Sequence, residues 1–203
     1  MDGLREPDAP GGVRSEEELL GAIRRGDAAA FDTVARMHSP RLFRLALRLC
    51  GKREDAEDLV QDTLLRTLPR LGGFEGRAQV STYLVRALVN GWRNRLRSRK
   101  RSRLVDWFAA RKDSRGDPAP PAEPADETPG VEERLVAGDR AAAVRGAIAQ
   151  LEPTRRLALL LCAVEEMSYE EIAEMTGVPV GTVRSRLARA REDLRRFLQG
   201  RLP

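Results

Sequence analysis

The sequence is poor in the residues on which disulfide-rich, metal-binding and membrane-spanning proteins depend. It contains two cysteines, Cys50 and Cys162, and one histidine, His38, which has no cluster of possible metal ligands beside it. The cysteines form no CxxC pair, so we interpret them as buried thiols of a reducing compartment. The longest apolar run, residues 157–164, is far shorter than the roughly 20 residues that span a bilayer. Since the N-terminus also lacks an apolar signal segment, we expect a cytoplasmic protein with no membrane insertion, metal or other cofactor.

Strand-like alternation of apolar and polar residues is also missing, which predicts an all-α fold. The 203 residues are enough for two small helical domains. Between the predicted helices, residues 117–130 hold five prolines and four acids, a composition that cannot form a packed element. We therefore expect two helical domains joined by a flexible linker rich in proline and acids. The predicted parts are a tail over 1–14, a first domain over 15–103, a linker over 104–132 and a second domain over 133–203.

The most specific local pattern lies between residues 168 and 191. Ser168 can cap a helix, and Glu171 follows three residues later, which is the spacing of a capping box. Gly177 provides the left-handed residue that ends the helix, and Pro179 follows where the chain cannot continue helically. A turn this short before a second helix predicts a helix-turn-helix, the arrangement that places a helix in a DNA major groove.

The second helix of this pattern is amphipathic. An apolar stripe is predicted at Val183, Leu187, Ala190, Leu194 and Phe197. The opposite side combines small residues, which permit close approach, with arginines that can bond guanine or phosphate. The alternative, a solvated charged face on an ordinary helix, is made less favourable by the capped helix and tight turn that precede it. The groove-reading positions are Arg184, Ser185, Ala188 and Arg189.

A second basic helix is predicted in the first domain. Lys and Arg outnumber Asp and Glu by 36 to 31 in the whole chain, yet seven of the eleven residues over 93–103 are Lys or Arg and none is acidic. This run continues an amphipathic helix predicted over 81–103, whose apolar side would hold the charges in place for phosphate binding. Phe74 and Tyr83 could stack on bases of single-stranded DNA, although core packing is preferred for Tyr83 and stays open for Phe74. The polar face comprises Arg86, Asn90, Arg93 and Arg97.

An acidic segment over 53–62 has the opposite character. Its carboxylates open the third predicted helix, where negative charge suits the helix dipole. The helical spacing of Asp55, Asp58 and Asp62 also suits a surface that meets a basic partner. Both interpretations remain open from the residues alone.

Three segments, in this order along the chain, resemble the bacterial sigma factors, in particular their compact extracytoplasmic-function group. They are the acidic segment 55–62, the segment 74–90 and the helix-turn-helix over 169–191. The resemblance implies a promoter-specificity subunit of RNA polymerase that is not itself an enzyme. It also implies that the first domain is sigma region 2, which binds core polymerase and the −10 element. The second domain is implied to be region 4, which binds the −35 element.

The resemblance further implies roles for individual residues and partners. Core polymerase is expected to be bound at the clamp helices of its largest subunit and the flap of its second-largest subunit, with the clamp contact made by Asp55, Asp58, Gln61 and Asp62. The −10 element is assigned to Phe74, Arg86, Asn90, Arg93 and Arg97. The −35 element is assigned to Arg184, Ser185, Ala188 and Arg189. An anti-sigma factor is a further implied partner.

The chain departs from the family pattern at a few positions. Tyr83 stands where the family usually has Trp, Gly91 and Trp92 follow Asn90, and Ala188 is smaller than is common at its position. The main alternative is a self-sufficient dimeric helix-turn-helix regulator, which predicts a palindromic site and a dimerisation surface. The sequence has no long heptad seam for such a dimer. No Ser/His/Asp set, carboxylate cluster or metal-ligand spacing supports a nucleic-acid enzyme.

Overall fold

The computed structural model describes residues 15–73, 79–113 and 137–199. Within these ranges the chain is helical and contains no strand, which confirms the all-α prediction. The described helices are α1 (Glu16–Arg24), α2 (Ala28–Cys50), α3 (Arg53–Thr67), α4 (Val80–Asp113), α5 (Ala137–Ala149), α6 (Pro153–Ala163), α7 (Tyr169–Thr176) and α8 (Val180–Leu198). A short 3-10 helix, Leu68–Gly73, follows α3. None of the described helices is long and apolar enough to cross a membrane.

Local chemistry accounts for several helix ends. Ser168 and Glu171 form the predicted capping box at the start of α7, with mutual distances of 2.7 and 3.2 Å. The same device, which sequence analysis overlooked, opens α1 through Ser15 and Glu18. At the other end of α7, Gly177 has φ 65°, a left-handed conformation that a residue with a Cβ adopts only at a cost. The helix therefore stops where the glycine predicted that it would.

Helix α4 is longer than the sequence pattern indicated. We expected it to end at Arg103, but it continues to Asp113. Residues 104–113 contain neither glycine nor proline, and extending an existing helix costs far less than starting one. The change in composition at residue 104 therefore does not end the helix, and most of the predicted linker lies outside the described residues. The domain boundaries themselves remain predictions.

The described helices form two units, each with its own buried leucines. The first unit comprises α1–α4, and the second unit comprises α5–α8. Fully buried leucines include Leu45, Leu59 and Leu88 in the first unit and Leu160 and Leu187 in the second, each at most 1% exposed. Burying one such side chain stabilises a fold by about 1.5–3 kcal/mol. These apolar faces orient the polar faces of α4 and α8 outward, and α2 also packs against α5 and α6 across the two units.

Candidate nucleic-acid and polymerase surfaces

The four predicted groove-reading residues lie together on the exposed side of α8. Val183, Leu187 and Ala190 are at most 1% exposed and hold the helix against its unit. All four members of the opposite side are exposed, and we call them the reading face: Arg184, Ser185, Ala188 and Arg189. Within the part of the chain that the structure describes, neither arginine of this face has a hydrogen bond or ion pair. Their donors are therefore available to a ligand.

The second unit holds α8 in place by a cross-helix ion pair that sequence analysis missed. Arg155 on α6 donates from Nη1 to Asp193 Oδ2 on α8 at 2.6 Å, and Asp193 is only 14% exposed. Arg196 bonds the other carboxylate oxygen at 2.9 Å. Because 38 residues separate Arg155 from Asp193, no local sequence signal could have indicated the pair. A half-buried carboxylate with two partners orients the helix that carries the reading face.

Ionised carboxylates stabilise the first turns of α7 and α6. Hydrogen bonds from the backbone amide of Ser168, and then from its side chain, lower the pKa of the exposed Glu171. At the start of α6, burial opposes ionisation of Glu152. Bonds from the Thr154 hydroxyl and from the amides of Thr154 and Arg155 outweigh it, so the pKa of Glu152 is lowered. Both carboxylates are therefore ionised near neutral pH, where they act as helix caps.

The predicted −10 residues fall into two groups. Arg86 and Asn90 are exposed and line a groove of about 540 Å³ between α3 and α4. Arg93 and Arg97 do not line this α3–α4 groove; Arg93 is half-buried, and Arg97 donates to Asn94 Oδ1 at 2.7 Å. Phe74 lies outside the described residues. The structure thus brings together two of the five residues.

The α3–α4 groove has a composition suited to a nucleotide strand. Arg66 and Arg70, which sequence analysis did not select, join Arg86 in lining it. Tyr83 is half-buried and lines the same groove. Its ring can therefore pack partly against the core and still offer a surface on which a base can stack. Gly91 contributes to the wall, and a Cβ there would stand 3.2 Å from Leu59 Cδ1. The unusual glycine therefore permits α3 and α4 to approach closely.

The acidic segment also divides into two sides. Asp62 accepts from Arg95 at 2.6 Å, and Asp55 accepts from Arg99 at 2.8 and 2.9 Å. These two aspartates therefore face α4 and neutralise part of its basic run. Asp58 and Gln61 are exposed, and no partner to either occurs among the described residues.

An exposed leucine extends the side of α3 that carries Asp58 and Gln61. Leu65 lies one turn beyond Gln61 on α3 and is 67% exposed. Together with Asp58 and Gln61 it forms what we call the α3 outer face. Leu65 adds an apolar contact to an otherwise polar side of the helix. Sequence analysis passed over Leu65 because it reads as one more residue of an apolar helix.

The two cysteines and the histidine take no part in these surfaces. Both cysteines are free and half-buried, and burial, with help from nearby Asp55, raises the pKa of Cys50 to about 11. That thiol is therefore protonated at neutral pH and inert as a nucleophile. Burial also lowers the pKa of His38. The described residues contain no group of three or more His, Cys, Asp or Glu side chains that could hold a metal ion.

Comparison with known proteins gives the same two-part organisation. Residues 34–102 match the family Sigma-70 region 2, and residues 141–194 match Sigma-70, region 4. The chain is 36% identical to the ECF RNA polymerase sigma factor SigM of Mycobacterium tuberculosis, over 91% of this chain and 85% of that protein. It is 33% identical to the RNA polymerase sigma-H factor of Pseudomonas aeruginosa, over 91% of this chain and 94% of that protein.

A solved structure extends the likeness to three dimensions. It is the sigma factor RpoE in complex with the anti-sigma factor NepR from Bartonella quintana, with a TM-score of 0.59 and 28% identity. The match covers 83% of this chain and 96% of the RpoE chain. Both units, in the predicted order, therefore have counterparts in sigma factors. The chain belongs to the sigma-70 family, as an RNA polymerase sigma factor of the extracytoplasmic-function type.

Proposed function

We propose that this sigma factor reads the −35 promoter element with the reading face of α8 and the −10 element with the α3–α4 groove. The observation that carries the proposal is that Arg184 and Arg189 are exposed and have no partner among the described residues, on a helix held in place by the Arg155–Asp193 ion pair. Arginine forms two parallel hydrogen bonds with guanine and also pairs with phosphate. Ala188 between them leaves room for a base edge or a thymine methyl group.

The first unit is proposed to hold single-stranded DNA of the melted −10 element. Arg66, Arg70 and Arg86 surround the groove and suit phosphates, and Asn90 offers an amide that can bond a base edge. Tyr83 provides a ring on which an extruded base can stack. Extrusion costs a few kcal/mol, which these contacts would offset. Arg93 and Arg97, which do not line the groove, remain proposed contacts, and so does Phe74, which lies outside the described residues.

Core polymerase is proposed to dock on the α3 outer face. Asp58, Gln61 and Leu65 combine charge, hydrogen bonding and an apolar contact on one exposed helix side. We assign this face to the clamp helices of the largest subunit and assign the second unit to the flap of the second-largest. Asp55 and Asp62 are proposed to act mainly through α4, since their carboxylates are already paired there.

Regulation by an anti-sigma factor is proposed from the relatives. The RpoE structure holds its sigma factor in complex with such a partner. An inhibitor that covered both units would keep the two exposed surfaces from binding promoter DNA. We also propose a cytoplasmic location and no chemistry of the chain's own, because sigma factors are transcription initiation factors that leave catalysis to the polymerase.

Run-off transcription with purified core polymerase tests the proposal. Adding the chain to core enzyme should yield a promoter-specific transcript that core alone does not make. Replacing the −35 element should reduce that transcript, and so should Arg189→Ala. The dimeric regulator makes the opposite prediction: no transcript, together with binding of the free protein to a palindrome as a dimer. That combination would overturn the proposal.

A further inference from the structure

No residue of α1 belongs to the surfaces assigned to DNA or polymerase, yet α1 contacts the start of α4. The amide of Val80, the first residue of α4, donates to Glu16 Oε1 at 3.1 Å. We propose that Glu16 is a positioning residue for the −10 element, because its carboxylate caps α4 and thereby holds Tyr83 in the α3–α4 groove. The inference rests on the proposed binding of the −10 strand in that groove.

Among the described residues, the start of α4 has no local cap. Gln79 precedes the helix, and glutamine is not one of the residues preferred at that position. Its side-chain oxygen instead accepts from the Ser81 hydroxyl at 3.4 Å. The amide of Tyr83 bonds the carbonyl of Gln79 at 3.1 Å, so the helical amides that precede it are those that a helix leaves without a backbone partner. Their partners must come from water or from elsewhere in the chain.

Val80 cannot use water for this purpose. It is fully buried, and a buried amide without a partner costs free energy comparable to a lost hydrogen bond. Glu16 provides the partner from 64 positions away in the sequence. Since Glu16 is also the first residue of α1, its carboxylate lies at the N-terminal ends of two helices. Both ends carry partial positive charge, which favours a carboxylate at this place over a neutral side chain.

Helix α1 contacts the chain on both sides of residues 74–78. On one side it packs against the 3-10 helix that follows α3, where a Cβ at Gly72 would lie 3.9 Å from the Cα of Arg24. On the other side it bonds Val80. Leu19 of α1 is 1% exposed and anchors the helix in the first unit. The carboxylate that caps α4 is therefore carried by a helix that is itself held in place.

The first turn of α4 carries the ring that we propose to stack on a base. Tyr83 lies at the end of this turn and lines the groove, and Arg86 follows three residues later. Helix ends fray when their caps are lost, so loss of the bond from Glu16 should loosen Tyr83 more than Arg86. The −10 strand would then have to order the turn as it binds, which lowers its affinity. Glu16 thus acts on DNA through Tyr83.

Binding of a labelled single-stranded oligonucleotide to polymerase reconstituted with the full chain tests the inference. The oligonucleotide carries the non-template −10 strand of a promoter that wild type transcribes. Glu16→Ala should weaken its binding by roughly twofold to thirtyfold, as expected for loss of a helix cap, and should leave binding of −35 duplexes unchanged. Glu16→Gln keeps an oxygen that can accept from Val80 and should restore most of the affinity. Glu17→Ala removes the same charge from the next residue of α1 and, as the matched control, should bind like wild type.

Two further comparisons separate positioning from a general loss of stability. In a Tyr83→Ala background, Glu16→Ala should have little additional effect, because changes at residues that act through one another are not additive. Gly51→Ala strains the left-handed end of α2, where φ is 78°, and should lower the midpoint of urea unfolding. It leaves both partners of the Glu16–Val80 bond in place and should not weaken binding of the −10 strand.

Several outcomes would overturn the inference. Full additivity of Glu16→Ala and Tyr83→Ala would do so, and so would equal losses of binding for Glu16→Ala and Gly51→Ala. Glu16→Asp keeps the charge on a shorter side chain and covers the case in which Glu16→Ala fails to fold. Wild-type affinity in whichever of these two variants folds would also overturn it. If Tyr83→Ala and Arg86→Ala bound the −10 strand like wild type, the proposed function of the groove would be refuted instead, and the unfolding midpoints of the Glu16 variants would still report on the cap.

Discussion

Two arginine-rich helices, α4 and α8, present their charges in opposite ways. On α8 the arginines of the reading face have no partner in the described part of the chain. On α4, Arg86, Arg95, Arg97 and Arg99 each hold a carboxylate or an amide oxygen. A basic sequence is therefore not the same as a basic surface. A phosphate can approach α8 directly, whereas on α4 it must displace an existing partner.

The difference fits the kinds of DNA that the two units are proposed to bind. Duplex −35 DNA presents its groove without rearrangement, so free donors on a braced helix suffice. The −10 strand must be melted first, and paired arginines discourage indiscriminate binding to any duplex. Exposed ion pairs contribute only about 0–1 kcal/mol, so a correctly placed phosphate can replace them. Pairing thus reduces non-specific attraction at little cost to the specific complex.

The largest effect is expected at the reading face. Arg189→Ala removes a donor that has no partner in the described part of the chain, so we expect its effect to fall on DNA binding. If Arg189 reads a base, −35-dependent transcription should weaken by about 1–3 kcal/mol, roughly fivefold to 150-fold. Titration of −35 duplexes measures the same loss directly.

The matched control for this change is Arg145→Ala, which removes an exposed arginine from α5 of the same unit. Its loss should be small and independent of promoter sequence. If Arg189→Ala and Arg145→Ala were equally mild, Arg189 would leave the recognition set and the contrast between α8 and α4 would lose its functional meaning.

The next effect concerns the α3 outer face. Replacing Asp58 and Gln61 together by Ala should weaken binding of core polymerase by roughly tenfold or more, as loss of a central interface contact does. Neither side chain has an internal partner among the described residues, so the fold should be unaffected. Competition for core polymerase against a labelled wild-type chain measures the loss.

Glu57→Ala is the control for polymerase binding, because Glu57 lies on the same helix but pairs with Arg53 at 2.8 Å. Binding of −35 duplexes by the double variant should match wild type. A parallel loss of duplex binding would indicate general unfolding and would remove the α3 outer face as a docking surface.

Sequence reasoning predicted the parts of the fold that depend on neighbours along the chain. The capping box of Ser168 and the left-handed Gly177 are local, and so is the stripe that buries Leu187 and exposes Arg189. The predicted end of α4 at Arg103 was wrong because a change in composition was treated as a helix stop, although residues 104–113 contain no glycine or proline. Helices end where a breaker or cap ends them.

The features that escaped prediction depend on how helices pack. The pairs Asp55–Arg99 and Asp62–Arg95 form because α3 and α4 approach closely, at a distance that Gly91 allows. Nothing in either segment alone shows that one neutralises the other. Arg86 and Glu174 are 88 residues apart in the sequence, so their contact depends on how the two units are placed relative to each other. The sequence could thus indicate which residues belong to a site, but it could not show which of them already pair with another side chain.

A smaller effect tests whether the two units are energetically separate. Ser15→Ala and Ser168→Ala each remove a helix cap and should cost about 1 kcal/mol of stability in the unit concerned. Trp92 of α4 is 7% exposed in the first unit. In a Trp107→Phe background Trp92 is the remaining tryptophan, so the fluorescence reports on the first unit. During urea unfolding, Ser15→Ala should lower the fluorescence midpoint and Ser168→Ala should leave it unchanged. Equal shifts would mean that the units unfold as one.

The smallest effect is expected when an arginine of α4 loses its carboxylate partner and becomes unpaired, as the arginines of the reading face on α8 are among the described residues. Asp55→Asn weakens the pair that holds Arg99 and should strengthen binding of single-stranded DNA by up to about 1 kcal/mol. One additional phosphate contact should also steepen the slope of log affinity against log salt by about 0.7. Glu57→Gln frees an arginine of the same type from an exposed pair on α3, away from α4, and should leave the slope unchanged. If both variants gained equally, any added positive charge would account for the effect. If neither gained, the pairing on α4 would not restrain DNA binding, and the difference between the two helices would lie in where their arginines point.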